Sequence, residues 1–155
     1  MGERGRTRST FLVMGVNVKI MREGDILLPS YKTKGSAGCD LVNAGEEFIL
    51  HAHSRAFVHT GVSIALPEGY EAQVRGRSGL NKNYGIVVPV GTVDSDYRGE
   101  IGVVVYNLSD EDYKVEHNER IAQLIIAKVE QAEWDEVGEL DETERGDGGF
   151  GHTGR

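Results

Sequence analysis

Two carboxylates, an aromatic ring and a guanidinium stand together in the stretch Gly91-Thr92-Val93-Asp94-Ser95-Asp96-Tyr97-Arg98-Gly99-Glu100. A carboxylate held still can orient a water molecule and accept its proton, which is general base chemistry. The stretch lies between Ile86-Val87-Val88 and Ile101-Gly102-Val103-Val104-Val105. Both runs are rich in β-branched residues, so the polar cluster reads as a hairpin gripped by paired strands and its side chains can be aimed. Ideal strand alternation would put Asp94 and Asp96 on the same side, but a hairpin tip breaks that rule. The residues alone do not choose between the two acids, and both also suit an ordinary solvated turn.

Three further places could handle an anion or close over a ligand. In Gly76-Arg77-Ser78-Gly79-Leu80 two glycines bracket a charge and a hydroxyl, a break that can direct backbone N–H groups at an anion, although a plain turn with a solvated arginine has the same composition. Small residues in Gly35-Ser36-Ala37-Gly38-Cys39 allow close backbone approach and lead into Asp40. The tail Arg145-Gly146-Asp147-Gly148-Gly149-Phe150-Gly151-His152-Thr153-Gly154 is glycine-rich yet carries an aromatic residue. A purely disordered tail would be expected to lack Phe150, so the segment reads as a mobile piece that closes on something.

The elements that must position these residues are short and strand-like. Val16 to Ile20 alternates, and Ile26-Leu27-Leu28 is a second apolar run stopped by Pro29. Further strand patterns cover Glu47 to Leu50, Ala56 to Val58, Gly61 to Leu66, Glu71 to Arg75, Glu100 to Asn107 and Ile121 to Val129. Turns fall at Pro67-Glu68-Gly69-Tyr70, Leu108 to Asp112 and His117-Asn118-Glu119-Arg120, where Asn118 suits a positive φ. Only the segment opening at Gly76 to Leu80 suggests a helix. The pattern predicts an all-β sandwich or barrel with at most one short helix.

A chain of 155 residues suits one domain. The single cysteine, Cys39, excludes an intramolecular disulfide framework and a cysteine-rich zinc site and fits a reducing, cytoplasmic setting. No apolar run approaches the ~20 residues of a membrane span. Net charge is −8, and the segment from Glu133 to Arg155, with eight acids against two bases, holds most of it. An acidic tail without a basic stripe argues against a sequence-independent grip on nucleic acid, so any anionic ligand must meet local arginines or a metal. Residues 1–15 read as a disordered leader or an upstream-start segment, with too short an apolar core for a secretory signal.

Five elements occur together in order: Ala37-Gly38-Cys39-Asp40-Leu41, Arg77-Ser78-Gly79-Leu80, Gly91 to Glu100, Arg120-Ile121-Ala122-Gln123-Leu124 and Arg145 to Gly154. In this order and spacing they resemble the trimeric dUTPase family. The resemblance implies a jelly-roll-like distorted β-barrel over residues 16–132, with an acidic linker and glycine-rich, flexible C-terminal lid over 133–155. It also implies a homotrimer whose sites are shared between subunits, and Mg²⁺-dependent hydrolysis of dUTP to dUMP and pyrophosphate, which keeps uracil out of DNA and supplies dUMP for dTMP synthesis.

By position, the resemblance makes Asp94 the base that activates water at the α-phosphorus and Tyr97 the ring packed against the deoxyribose. Uracil is read mainly by main-chain groups around Val93. Arg77, Ser78, Gly79 and Gln123 become phosphate or polar contacts, and Arg120 a structural ion-pair partner. Asp40 becomes an outer-shell partner of water on a Mg²⁺ carried mainly by substrate phosphates. In the tail, Phe150 with Gly151 covers the uracil while Arg145 and Thr153 meet the β- and γ-phosphates. This chain departs from the family pattern at His152, where serine is usual, at Asn118-Glu119 in place of Gly-Asp, and between Gly85 and Gly91, which lacks the asparagine many members carry. Two rival readings are a dCTP deaminase-like relative, for which no matching acidic motif beside the base is found, and a dUTP-gated regulatory binding protein.

Overall fold

The computed structural model describes residues 15–151, so most of the expected leader, together with His152 and Thr153, lies outside the described residues. The strands are β1 (Lys19–Arg22), β2 (Cys39–Val42), β3 (Phe48–Leu50), β4 (Arg55–Ala65), β5 (Tyr70–Arg75), β6 (Ile86–Val87), β7 (Gly91–Val93), β8 (Glu100–Asn107), β9 (Tyr113–Val115) and β10 (Arg120–Lys128). One helix, α1 (Ser78–Tyr84), falls where the sequence suggested it. It stops at Gly85, whose φ of 68° is left-handed and whose N–H donates to the Asn81 carbonyl.

Two four-stranded sheets, in the orders β1-β4-β8-β6 and β2-β10-β5-β7, share one apolar core, and a small β3-β9 ladder sits beside them. Every pairing is antiparallel. Alternation decides which side chains enter the core: β8 buries Ile101, Val103 and Val105 and turns Gly102, Val104 and Tyr106 outward. Opposite them lie Ala72 and Val74 of β5 and Ile121 and Leu124 of β10. This is the all-β, jelly-roll-like sandwich expected. Among the described residues no helix is long and apolar enough to cross a membrane.

The predicted hairpin needs correction. Ile86 and Val87 do pair with β8, but with Asn107 and Tyr106 beyond the expected flanking run, and the ladder ends there. Pro89 has no N–H to continue it. Gly91–Val93 turns instead to β5, pairing Gly91 with Val74, Thr92 with Gln73 and Val93 with Ala72. Residues 94–99 therefore form an arch that leaves one sheet and joins the other. The apolar run at Ile26 also forms no strand: Ile26 is in the core, whereas Leu27 and Leu28 are exposed.

Ala56–Val58 and the run from Gly61 to Ala65, which the sequence pattern separates, belong to the single long strand β4. The break between them is a bulge. His59 pairs with Gly102 and Ser63 with Glu100, leaving extra residues on β4. Gly61 has φ 66°, a left-handed conformation that strains any side chain, and a Cβ there would also press on Ile26 Cδ1 at 2.8 Å. The bulge turns its polar groups toward the start of β8. The Gly61 N–H donates to Glu100 Oε1 (2.8 Å), His59 Nδ1 meets Glu100 Oε2 (2.9 Å), and Thr60 Oγ1 donates to the Ile101 carbonyl (2.5 Å). The far end of β8 is held by fully buried Asn107. Its Nδ2 donates to the Leu50 and Glu111 carbonyls, and its Oδ1 accepts from Ser109 N–H and Oγ.

Replacing Asn107 by alanine strands several of these groups away from water, and stability in urea is expected to fall by about 2–3 kcal/mol, read from the shift in denaturation midpoint at unchanged slope. A second outcome concerns acid. Burial pushes the Glu100 carboxyl up, but the hydrogen bonds from His59 and from the Gly61 N–H outweigh it and hold the group below the usual range. A folded value below the unfolded one gives stability that is present above the unfolded pKa and lost as pH falls through the folded one. Hydrogen-exchange protection of the Gly61 amide should therefore be constant above about pH 5 and decline below about pH 4, near and under the unfolded glutamate value.

Candidate active site

Asp94 opens the arch and Tyr97 closes its turn, the Tyr97 N–H donating to the Asp94 carbonyl at 3.2 Å. The Tyr97 hydroxyl donates to the Glu100 carbonyl at 2.9 Å, so its ring folds back over Gly99, where any Cβ would overlap it. Arg98 is turned onto its own arch, donating to the Ser95 and Tyr97 carbonyls at 2.6 and 2.9 Å. Asp94 and Tyr97 both line a cleft of about 210 Å³ whose buried floor is Val74, Val93 and Ile101. Asp94 also borders a wider groove of about 880 Å³ that contains Asp96 and Arg98. Asp96 does not reach the smaller cleft. The two acids that the sequence left interchangeable are therefore distinct, because only Asp94 shares a cleft with the tyrosine.

The second constellation lies elsewhere on the same sheet. Asp40 of β2 faces three cations: Arg77 Nε at 3.7 Å, Arg120 Nη1 at 3.2 Å and Lys32 Nζ at 3.9 Å. Arg77, half-buried, also donates to the Arg120 carbonyl at 2.7 Å. Gln123 of β10 sits between Asp40 and Arg75 in the ladder, with its Oε1 against Gly38. Ser78 and Gly79 form the first turn of α1, where helix geometry leaves the N–H groups without intrahelical partners. Residues 76–78 and 86–88 enclose a further hollow of about 330 Å³. Arg120 is thus an ion-pair partner, as expected from sequence.

No group of three or more His, Cys, Asp or Glu able to hold a metal occurs among the described residues. Both Asp40 oxygens face cations, so metal-bound water would have to compete with Arg77, Arg120 and Lys32. Within one chain Asp40 is already surrounded by cationic partners. Its carboxylate works there as the counter-ion that holds two arginines in place.

The two constellations do not meet within one chain. Asp40 lies on the β2 edge of its sheet and Asp94 just beyond the β7 edge, three strand spacings away. The register adds four residues along the strands. At about 4.8 Å per strand and 3.4 Å per residue the separation is roughly 20 Å. The tail joins neither group. Past β10 the described residues form no strand or helix, Trp134 is 92% exposed and Phe150 is wholly exposed with φ 50°. Arg145 is engaged only in a local turn, its Nε donating to the Gly148 carbonyl at 2.8 Å. Thr153 is outside the described residues. Sequence reasoning overlooked Glu100 and its anchor, although a glycine inside a strand pattern at Gly61 is the usual sign of a bulge.

The family model described as dUTPase matches residues 25–154. Among curated proteins the chain is 54% identical over 143 residues to a deoxyuridine 5'-triphosphate nucleotidohydrolase from Fusobacterium nucleatum, covering 90% of this chain and 98% of the relative. It is 50% identical over 145 residues to the protein of the same name from Anaplasma marginale, covering 90% and 99%. Among solved structures, the dUTPase of Staphylococcus bacteriophage 80alpha with dUpNHpp superposes with a TM-score of 0.83 at 27% identity, covering 90% of this chain and 99% of that one. A match over most of the chain, relatives at about half identity and a shared fold lead to one conclusion: the chain belongs to the dUTPase family.

Proposed function

We propose that this protein hydrolyses dUTP to dUMP and pyrophosphate, with the base and sugar held by the 94–99 arch and the phosphates by the arginine-bearing constellation of a second copy. The observation that carries this reading is the cleft shared by Asp94 and Tyr97, seen beside the family match and the relatives' names. Its volume of about 210 Å³ is below the ~300–1,000 Å³ of a complete small-molecule pocket, so it suits the base and sugar rather than a whole triphosphate.

In this reading Asp94 holds a water in line with the leaving pyrophosphate and accepts its proton as oxygen bonds to the α-phosphorus. The Tyr97 ring stands against C2′ of the sugar and excludes a 2′-hydroxyl by clash. The uracil edge is read by main-chain groups around Val93, where a mismatched buried polar group costs about 1–3 kcal/mol. Arg77, Ser78, Gly79 and Gln123 receive the phosphates. Mg²⁺, when carried by the substrate's phosphates, would offset their charge, with Asp40 the residue placed to meet its bound water.

The roughly 20 Å between the constellations in one chain supports a shared site, and the family resemblance makes the assembly a homotrimer. The body spans 16–132 and the arm 133–155. Phe150 and Gly151 then cover the base while Arg145 and Thr153 reach the outer phosphates. The product role is removal of dUTP from the DNA precursor pool and supply of dUMP.

Offering the protein dUTP, dCTP, dTTP and UTP with Mg²⁺ and following pyrophosphate and ammonia separately is expected to yield pyrophosphate from dUTP alone; ammonia from dCTP would mean a deaminase. Asp94→Asn should bind dUpNHpp nearly as the parent does and lose about 10²–10⁴ in turnover, the usual worth of a positioned general base. Near-normal pyrophosphate release would remove Asp94 from that role. Deleting residues 145–155 should leave the assembly intact by sedimentation and sharply lower hydrolysis, and a truncated protein with full turnover would rule out the lid.

A further inference from the structure

Glu100 borders the Asp94–Tyr97 cleft and also a second hollow, of about 440 Å³, that contains Glu23, Asp25, His59, Gly61 and His117. Its carboxylate is committed to the second side. Oε1 takes the Gly61 N–H and Oε2 meets His59, both of which line the second hollow and not the first. Only the Glu100 backbone serves the cleft, its carbonyl accepting the Tyr97 hydroxyl at 2.9 Å. Glu100 is therefore a lever. Its side chain grips the β4 bulge behind the sheet, and its main chain carries the ring in front.

We infer that Glu100 is a positioning residue for sugar selection: by clamping the start of β8 to the β4 bulge it sets where the Tyr97 ring stands. The inference rests on the reading of Tyr97 as the wall against the 2′ position. Three features of the geometry converge on it. The ring has one hydrogen-bond anchor, the Glu100 carbonyl, and lies on Gly99, so it moves with the 99–100 backbone. That backbone has no strand neighbour on the β7 side, because β7 pairs with β5 and not with β8. On the other side Glu100 pairs with Ser63, but the ladder breaks immediately beyond it, with no regular pair between Ser63↔Glu100 and His59↔Gly102. The carboxylate bridges this gap, helped by Thr60 Oγ1 on the next carbonyl. His59 is itself steadied by an edge contact with Phe57, ring centroids 5.0 Å apart, and Phe57 lies over Gly102.

The quantity to measure is the ratio of kcat/KM for dUTP to that for UTP. A merely structural loss reduces the amount of active enzyme, acts on both substrates equally and leaves the ratio unchanged. A displaced ring lowers it. Misplacement by 1 Å costs on the order of 100-fold in rate, so the smaller shift expected in Glu100→Ala should reduce the ratio about tenfold. Glu100→Gln should restore most of it, since an amide can accept from the Gly61 N–H and donate to an unprotonated His59 Nδ1. In a Tyr97→Ala background, Glu100→Ala should change the ratio no further, the signature of two residues acting through one ring. His59→Ala removes an exposed side chain and one of the two clamps, and is expected to shift the ratio in the same direction by less.

An unchanged ratio in folded Glu100→Ala, with the ratio collapsed in Tyr97→Ala, overturns the inference while leaving the sugar-wall reading in place. If Tyr97→Ala itself keeps the ratio, that reading is wrong and the inference falls with it. Should Glu100→Ala not fold, His59→Ala decides alone, and an unchanged ratio there counts against the clamp.

Discussion

Between Val93 and Glu100 the chain has to leave one sheet and join the other, and the chemistry depends on how that crossing is held. On the upstream side Val93 is buried and paired to Ala72, so Asp94 emerges from a fixed strand end. On the downstream side the ladder is interrupted by the β4 bulge, and side-chain hydrogen bonds from Glu100 and Thr60 replace the missing pairs. Bonds to an ionised carboxylate are shorter and stronger than those between neutral groups. The arch is thus tied to both sheets while its tip remains exposed, the arrangement a site needs if it is to be rigid and still accessible.

Charge is handled in the same local way. A molecule with net charge −8 that meets a triphosphate must concentrate its cations. Lys32, Arg77 and Arg120 gather around the single carboxylate of Asp40, leaving a locally positive patch. Asp40 does more than dilute that charge. Two long guanidinium side chains drawn toward one carboxylate are already restricted in orientation, which under the proposed function lowers the freedom Arg77 loses when phosphates arrive. The arm, with eight acids against two bases, carries most of the net negative charge.

The arm is the part of the described chain that the body does not explain. Trp134, Val137, Leu140 and Phe150 are all exposed, and no strand or helix follows β10. A chain that leaves four large apolar side chains in water over so short a span has not found its packing partner within itself. The separation of the Asp94 and Arg77 constellations within one chain is the same incompleteness seen at the site. Both are accounted for by the proposed assembly, in which neighbouring copies supply what each lacks.

Much of this was legible in the residues. The alternation of Ile101, Val103 and Val105, the turn at Asn118 with its φ of 61° and the short helix that opens after Arg77 follow from local rules. Those rules depend on neighbours in sequence, which is why composition and spacing suffice for them. The destination of each strand was not legible. Val87 and Gly91 are separated only by Val88, Pro89 and Val90, yet they lie in different sheets, a choice made by which partner strand offers a free edge. The same holds for the sites. The sequence by itself determined an all-β body, the residue types needed for water activation and phosphate contact, and the family. Only the tertiary structure decided that Asp94 and not Asp96 shares the tyrosine's cleft, that Glu100 grips a bulge some forty residues away in sequence, and that Asp40 with its cations stands roughly 20 Å from Asp94. Those are relations between strands, fixed by register and by which face of each strand is buried, and a single strand's sequence carries no record of its partner.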